Sequence, residues 1–198
     1  CIVKYHALSD KELPSEVYIR SLARMNTAKS TGGIYATDEN IDRESLYRMY
    51  NSSSILLMPS RGEGFCLPAA EAMCSGLPVI YTDWSALCEV CEGEGNYPVA
   101  YVLDEAHSMF HYGYEGNLTY AVPLIRSIMI ALVDAYSLWK KDRAAYYASV
   151  ASNRDLIDRK YGYASVKSCI DHLVQGGTGI ASDDVLLPPD YIPGGLYE

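Results

Sequence analysis

Short apolar segments alternate along this chain with segments in which apolar residues recur at helical spacing. Residues 54–58 (SILLM) and 78–81 (PVIY) are apolar at nearly every position, which is typical of a strand buried on both faces. Strands of this kind, separated by helices, form a parallel sheet that the helices cover. The predicted fold class is therefore α/β, with a doubly wound parallel sheet and helices on both faces.

The same patterns predict the individual elements. Strands are expected at 1–6, 34–36, 54–58, 78–81 and 99–103, and helices over 13–26, 44–50, 68–74 and most of 124–175, with breaks near Asn153 and Gly162. Ser75 and Gly76 are placed to end the helix over 68–74, because glycine tolerates the left-handed backbone that closes many helices. Residues 176–198 have glycine, proline and no periodicity, which predicts an irregular tail, either frayed or packed across another surface.

Composition and charge exclude several classes of protein. With 49% apolar and 21% charged residues, the chain can bury enough apolar surface to fold, which excludes a disordered chain. A formal net charge of −9 leaves no basic face to replace the counterions of a phosphate backbone, so general nucleic-acid binding is excluded. Most of this net negative charge lies in residues 51–125, which hold nine acidic side chains and one basic one, Arg61.

The sequence predicts no transmembrane segment. Its longest apolar stretch, residues 121–136, contains Arg126 and Asp134. No cationic segment followed by an apolar one opens the chain, so no secretory signal is predicted either. We therefore expect a cytoplasmic protein, with peripheral attachment to a membrane as an option.

Six cysteines are too few for a disulfide scaffold and too scattered for a paired zinc motif. Cys88 and Cys91 form one C-x-x-C pair, without a second pair or a histidine cluster. Two interpretations remain open: a metal site, or thiols that are simply buried in a reducing compartment. The second is favoured, and no metal site is predicted.

The chemistry is concentrated in residues 59–83, where a strand, a glycine-containing loop and a helix start follow one another. Gly62 and Gly64 allow a ligand to approach the backbone, and free amides at the helix start favour an anion such as a phosphate. Glu63 and Glu71 flank this helix start, and each carboxylate can accept bonds from two vicinal hydroxyls. A nucleotide sugar combines a diol, a diphosphate and sugar hydroxyls in that order. Alternatively, Glu63 only complements the helix dipole and Glu71 is an ordinary surface residue.

The stretch from Leu46 to Val90 resembles the donor-binding core of retaining glycosyltransferases of family 4, which have the GT-B fold. The match runs from Glu63-Gly-Phe-Cys-Leu-Pro-Ala-Ala-Glu71 through Ala72-Met73, Gly76, Pro78-Val79-Ile80 and Thr82-Asp83. The two glutamates have the E-x7-E spacing of that family. The resemblance implies a Rossmann-like C-terminal half of a GT-B fold.

The resemblance also implies a role for each site residue. Glu63, the predicted catalytic residue, would contact donor-sugar hydroxyls near the reacting carbon, and Glu71 would bind the ribose diol. Tyr35, or its neighbour Ile34, would read the base, and Arg61 lies beside the expected diphosphate. The diphosphate would be held by backbone amides of Gly64, Phe65, Cys66 and Leu67. No metal and no cofactor are implied, and the donor substrate is a nucleotide-diphosphate sugar.

Three departures from the family pattern stand out. Cys66 occupies the place of a glycine, and Ser85-Ala86 replace a Gly-Gly pair, although Glu89 is retained. The family's G-R-x4-K-G segment, which grips the diphosphate, does not precede Ile2. Arg61 is the nearest substitute cation and Lys4 a weaker one, although interpretation of Arg61 as a solvated loop residue is favoured over a binding role.

Residues 1–175 are thus expected to form a donor-binding domain that lacks its first strand and the N-terminal acceptor domain, with 176–198 as the tail. The complete enzyme would transfer a hexose to a sugar, lipid or protein acceptor with retention of configuration. The alternatives are a non-catalytic nucleotide-sugar-binding or interaction module with the same fold, and another GT-B enzyme such as a nucleotide-sugar epimerase.

Overall fold

Each of the two units of the protein contains strands that pair in parallel. The computed structural model describes residues 2–4, 35–37, 41–106 and 118–174, and the chain divides into two units, Cys1–Leu46 and Tyr47–Glu198. In the first unit, strands β1 (Ile2–Lys4) and β2 (Tyr35–Thr37) pair in parallel. Both strands lie where the sequence predicts them. The helix predicted over residues 13–26 and the tail over 176–198 lie outside the described residues.

The second unit is built on a three-stranded parallel sheet. Its strands are β3 (Leu56–Met58), β4 (Val79–Thr82) and β5 (Tyr97–Val99), in the order β3-β4-β5. All four residues of the central strand β4 are buried. This confirms the expectation that the apolar segments form a parallel sheet covered on both faces. The doubly wound arrangement of the helices stays a prediction.

Helices occupy most of the remaining described chain. They are α1 (Arg43–Ser52), α2 (Leu67–Cys74), α3 (Ala86–Val90), α4 (Ile125–Lys141), α5 (Arg143–Ala148), α6 (Asn153–Tyr161) and α7 (Tyr163–Val174). The predicted breaks near Asn153 and Gly162 are confirmed, because α6 begins and ends at those positions. Gly76 adopts a left-handed φ of 74° after α2, which also confirms the predicted helix end.

Helix α4 packs on the sheet through one side only. Its Ile128 and Ala131 join a core cluster with Ile80 of β4 and Val99 of β5. A neighbouring stripe, which includes Ile125 and other exposed apolar side chains, is left uncovered by the described residues. No helix within the described ranges is long and apolar enough to cross a membrane.

The strand predicted over residues 99–103 is wrong as a single element. Strand β5 ends at Val99, and β6 (Tyr101–Ala106) pairs antiparallel with β7 (Leu118–Pro123) as a separate hairpin. The break falls at Ala100 because α4 engages both of its backbone groups. Its N–H donates to Ser127 Oγ at 3.0 Å, and its carbonyl accepts from Leu124 N at 2.8 Å.

Candidate functional site

Two loops meet at the carboxyl edge of the sheet. One follows β3 and carries Glu63, and the other follows β4 and carries Ser85. The backbone N–H of Glu63 donates to Ser85 Oγ at 3.0 Å, which joins the loops. Ligands of open parallel sheets bind at the carboxyl ends of the strands, so the predicted site lies at the expected edge.

The fold does not require glycine at Gly62 or Gly64. Neither residue has a positive φ, and a Cβ atom added to either would have no heavy atom within 4 Å. Glycines of this kind are explained neither by a strained turn nor by tight packing. They leave open space in front of the loop backbone, which suits close approach of a ligand.

Helix α2 begins at Leu67, one residue before the start of the predicted helix over 68–74, and the amides at this start are unpaired. Among the described residues, the N–H groups of Gly64, Phe65, Cys66 and Leu67 have no hydrogen-bond acceptor. The next amides of α2 are satisfied, because Ala69 and Ala70 both donate to the carbonyl of Cys66, at 3.1 and 3.4 Å. Four free donors at a helix start form a site of positive potential that suits an anion.

Two residues beside this anion site have strained backbones. Cys66 is left-handed, with φ 68° and ψ 69°, and Ser85 has φ 54° and ψ −146°, a region that is almost restricted to glycine. They stand where the family resemblance expects glycines. A left-handed conformation costs a residue with a Cβ about 1–2 kcal/mol. The rest of the fold therefore holds both loops in place against local strain.

The thiol of Cys66 faces inward, since the residue is only 6% exposed. Burial raises the pKa of this thiol, with a smaller contribution from the charge of Glu63. The side chain is therefore a neutral packing group at neutral pH. That only the backbone amide of Cys66 contacts a ligand stays a prediction.

Glu71 is exposed and is oriented by a tyrosine that the sequence analysis did not assign to the site. The hydroxyl of Tyr50, on α1, donates to Glu71 Oε2 at 3.0 Å. Burial, and then this hydrogen bond, raise the pKa of Tyr50, so that it remains a donor well above neutral pH. Glu71 Oε1 has no partner among the described residues and is available to ligand hydroxyls.

The carboxyl end of helix α6 contacts both loops of the site. The rings of Phe65 and Tyr161 pack edge to face, with centroids 4.8 Å apart. The hydroxyl of Tyr161 donates to Glu89 of α3 at 2.9 Å, and Lys160 pairs with Glu92 at 2.8 Å. One helix end therefore fixes both the Glu63 loop and the short helix α3 that follows Ser85.

Arg61 is exposed, but it is not a freely solvated side chain. Its guanidinium carbon lies 5.3 Å from the ring centroid of Tyr120, and its carbonyl accepts from Ala121 N at 2.9 Å. Tyr120 in turn donates to Asp104 across the hairpin at 3.1 Å. The structure thus ties Arg61 to the hairpin, and its contact with a diphosphate stays a prediction.

Other predicted residues belong to the first unit of the chain. Tyr35 lies in β2 and Lys4 in β1, both in the first unit, and Ile34 is outside the described residues. The suggestion that Tyr35 reads the base therefore remains a prediction.

The thiols of Cys88 and Cys91 are both free. Cys91 is buried, as expected, and burial raises its pKa to about 12. Cys88 is exposed, so the expectation of two buried thiols is wrong for this residue. Desolvation, and then a hydrogen bond to Asp83, raise its pKa to about 11. Within the described part of the chain, no cluster of three or more histidine, cysteine or acidic residues is arranged to hold a metal ion.

A cavity of about 480 Å³ lies at the opposite edge of the sheet. It is lined by Asn51, Ser53, Cys74, Ser75, Gly76, Leu77, Tyr147, Val150, Ala151 and Arg154. Asn51 and Ser53 precede β3, and Ser75, Gly76 and Leu77 lie between α2 and β4, so the cavity faces the amino ends of these strands. It contains none of the predicted site residues and is not assigned to the donor.

Three residues that shape the site are not predicted from the sequence. Tyr50 orients Glu71, Tyr161 supports Phe65, and Ser85 holds the Glu63 amide. The sequence offers only weak signals for them: a high count of 18 tyrosines and a serine where glycine is expected. Nothing local indicates which tyrosines reach the site.

Comparison with known proteins yields two matches. Residues 12–109, just under half of the chain, match the sequence model of the family described as "Glycosyl transferases group 1". The chain is also similar to the MMP α-(1→4)-mannosyltransferase of Mycolicibacterium hassiacum, with 39% identity over 62 residues. That alignment covers 31% of this chain and 15% of the relative. The matches support a glycosyltransferase of the GT-B type, and the Glu63–Glu71 segment lies inside the matched range.

Proposed function

We propose that this chain is the donor-binding domain of a retaining, metal-independent glycosyltransferase that transfers a hexose from a nucleotide-diphosphate sugar. The observation that carries the proposal is the row of unpaired amides from Gly64 to Leu67, flanked by Glu63 and by Glu71. The family match and the mannosyltransferase relative support the same reading.

Each group has a definite task in this proposal. The amides from Gly64 to Leu67 bind the diphosphate, on which negative charge develops as the sugar leaves. Glu71 accepts hydrogen bonds from the ribose diol, with Tyr50 fixing its orientation. Glu63 positions the sugar hydroxyls at the reacting carbon, with its backbone held by Ser85.

Charge poses the main difficulty for donor binding. Residues 51–125 carry nine acidic side chains and only Arg61 as a basic one, yet the ligand is an anion. The helix-start amides and Arg61 offset part of this repulsion. We propose that further cations come from the N-terminal domain of the complete enzyme, which would also contribute to the acceptor site.

Isothermal titration with UDP, GDP, UDP-glucose and GDP-mannose tests the donor site. GDP-mannose is included because the relative is a mannosyltransferase. We expect at least one nucleotide to bind. Replacing Glu71 with Ala should weaken binding about tenfold or more, because a hydrogen bond to a charged group contributes about 1.5–3 kcal/mol.

Glu94→Ala is the matched control, because Glu94 is exposed and the same charge is removed away from the loop. Its affinity should equal that of the wild type. No heat with any of the four nucleotides, or equal losses in both variants, would contradict the donor site. In the complete enzyme, Glu63→Ala and Glu71→Ala should each impair transfer. If the complete wild-type protein binds the donor normally but transfers no sugar, a non-catalytic binding module is favoured instead.

A further inference from the structure

Helix α4 carries an apolar face that the described residues leave uncovered. Five side chains share this face, because their positions follow the i, i+4, i+7, i+8 and i+11 pattern of one side of a helix: Ile125, Met129, Leu132, Val133 and Tyr136. They are 37–74% exposed, whereas Ala131, on the side that packs on the sheet, is buried. We call these five residues the apolar stripe. Proteins rarely leave such a surface without a partner.

Aromatic and basic side chains gather at the carboxyl end of the apolar stripe. The rings of Tyr136 and Trp139 stack, with centroids 6.0 Å apart and 23° between their planes. Lys140 Nζ lies 6.0 Å from the Tyr136 centroid, and the Arg143 guanidinium carbon lies 4.1 Å from the Trp139 centroid. These contacts hold two positive charges beside the two rings. Amphipathic rings and cations next to an apolar face are typical of a boundary between hydrocarbon and lipid headgroups.

The charge around the apolar stripe is opposite to that of the whole chain. The chain has a formal net charge of −9, yet residues 126–143 hold more basic side chains than acidic ones: Arg126, Lys140, Lys141 and Arg143 against Asp134 and Asp142. Asp142 caps α5 by accepting from Ala145 N at 2.9 Å. Burial, and then the charge of Asp134, raise the pKa of Tyr97 on β5, so Asp134 lies toward the sheet. The basic surplus complements an anionic surface.

These charges disfavour a second copy of the chain as the partner. Parallel pairing through the apolar stripe would bring Lys140 against Lys140, and antiparallel pairing would bring Arg126 against Lys140. Both arrangements set cation against cation, with no carboxylate on the stripe to offset the repulsion. The stripe is also only about 17 Å long on one helix, whereas a stable dimer interface buries about 800 Å² per partner. An outward helix face, rather than a groove between helices, suits a flat surface better than a peptide.

We propose that α4 attaches the protein to an anionic membrane, with the apolar stripe at the boundary of acyl chains and headgroups. Tyr136, Trp139, Lys140 and Arg143 lie at the headgroup level in this arrangement. Such a helix lies in the membrane plane, in agreement with the finding that no described helix is long and apolar enough to cross a membrane. The inference is independent of the donor site and specifies the peripheral attachment that is an option from the sequence.

Sedimentation with lipid vesicles tests this attachment. The 198-residue chain should bind vesicles of equal parts phosphatidylcholine and phosphatidylglycerol. Binding to phosphatidylcholine alone should be at least about tenfold weaker, because each basic side chain near an anionic surface contributes about fivefold. Added salt should weaken binding to the anionic vesicles, since it screens these charges.

Tryptophan emission identifies the part of the chain that meets the lipid. The chain has two tryptophans, so Trp84→Phe leaves Trp139 as the reporter. Its emission should shift to shorter wavelength with anionic vesicles and should be quenched by brominated lipid. A protein partner would not produce this quenching.

Matched variants locate the contact on α4. Met129→Gln should weaken vesicle binding about fivefold or more, because it removes an apolar side chain from the lipid boundary. Ile130→Gln is the control, since Ile130 is adjacent and similarly exposed, 54% against 60%, but lies off the apolar stripe. Its affinity should stay within about twofold of the wild type. Circular dichroism should show the same fold in both.

A second pair of variants tests the charge. Lys140→Gln should weaken binding to anionic vesicles about fivefold. Lys167→Gln removes an exposed cation from α7 instead and should leave binding unchanged. Equal effects of the two substitutions would show that the cations of α4 have no special role and would overturn the inference.

The remaining outcomes decide between partners. Failure to bind anionic vesicles, or equal losses in Met129→Gln and Ile130→Gln, would overturn membrane attachment. Without vesicle binding, a dimer that Met129→Gln dissociates would assign the apolar stripe to a second copy, and binding of polyglutamate would assign it to an acidic protein. Met129→Gln should bind nucleotides as the wild type does. Absence of nucleotide binding in the wild type would contradict the proposed function and leave the membrane attachment standing.

Discussion

At the residue scale, the site contains two non-glycine residues whose backbone conformations are unusual. Cys66 and Ser85 both have positive φ values, 68° and 54°, although neither is glycine. Ser85 is compensated by the hydrogen bond it accepts from Glu63. Cys66 is compensated by burial of its thiol. Strain of this kind persists only where the surrounding structure maintains it, and such positions cluster at functional sites.

The left-handed backbone of Cys66 leads to a stability prediction. Cys66→Gly relieves strain of about 1–2 kcal/mol but loses the buried thiol, so the free energy of unfolding should change by less than about 1 kcal/mol. Cys66→Val should lower it by at least about 2 kcal/mol, because a β-branched side chain fits a positive φ poorly. Urea unfolding followed by circular dichroism measures both changes.

Cys74→Val is the control, because Cys74 is exposed in the last turn of α2 and does not itself have a positive φ. It should cost less than about 1 kcal/mol. A Cys66→Val protein as stable as this control would show that residue 66 is not left-handed.

At the element scale, α6 acts as the support for the loop and for α3. Tyr161 contacts Phe65 by its ring and Glu89 by its hydroxyl, and Lys160 pairs with Glu92 while its side chain is only 6% exposed. These contacts come from Lys160 and Tyr161, which lie 71 and 72 positions beyond Glu89 in sequence. The positions of α2 and α3 at the site are thus set partly by a helix that carries no predicted site residue.

Substitutions at Tyr161 separate these two contacts. Tyr161→Phe removes the hydrogen bond to Glu89 and keeps the ring contact, so the free energy of unfolding should fall by about 1 kcal/mol. Tyr161→Ala removes both contacts and should cost about 2–3 kcal/mol. Amide exchange at Ala69 and Ala70, whose N–H groups donate to the Cys66 carbonyl, should accelerate in the Ala variant and stay close to wild type in the Phe variant.

Tyr163→Ala is the comparison, since Tyr163 is 82% exposed. It should alter neither stability nor exchange at Ala69 and Ala70. If Tyr161→Ala leaves exchange at these two amides unchanged, α6 does not support the site.

At the scale of the whole molecule, tyrosine is a packing residue as well as a surface one. Of the 18 tyrosines, Tyr50, Tyr81 and Tyr146 are buried and Tyr161 is half-buried. In each of them burial is the largest cause that raises the pKa, and hydrogen bonds to Glu71 and Glu89 add to it for Tyr50 and Tyr161. The folded state therefore holds these phenol protons more tightly than the unfolded state does.

This difference predicts loss of stability at alkaline pH. The phenol of an unfolded chain has a pKa of about 10, so above that pH the unfolded state loses its protons while the folded state retains them. The free energy of unfolding should be unaffected by these groups below about pH 10 and should fall as the pH rises further. Urea midpoints at about pH 8, 10 and 11 measure this decline.

Tyr50→Phe provides the check, because it removes one of the four groups and leaves the ring. Its stability should fall less steeply above about pH 10 than that of the wild type. Identical slopes in the two proteins would show that Tyr50 titrates normally and is not the buried donor to Glu71.

The sequence alone determined what depends on local pattern. Consecutive apolar residues predicted β3 and β4, and the motif around Glu63 and Glu71 predicted the start of α2 to within one residue of Leu67. These features follow from side-chain periodicity and backbone preference within a few residues. Only the tertiary structure decided that Ser85 holds Glu63, that Tyr50 orients Glu71 and that Tyr161 reaches Glu89, across 22, 21 and 72 positions. It also ended β5 at Val99, because α4 takes the hydrogen bonds of Ala100. Such contacts depend on how distant elements pack, which no local pattern contains.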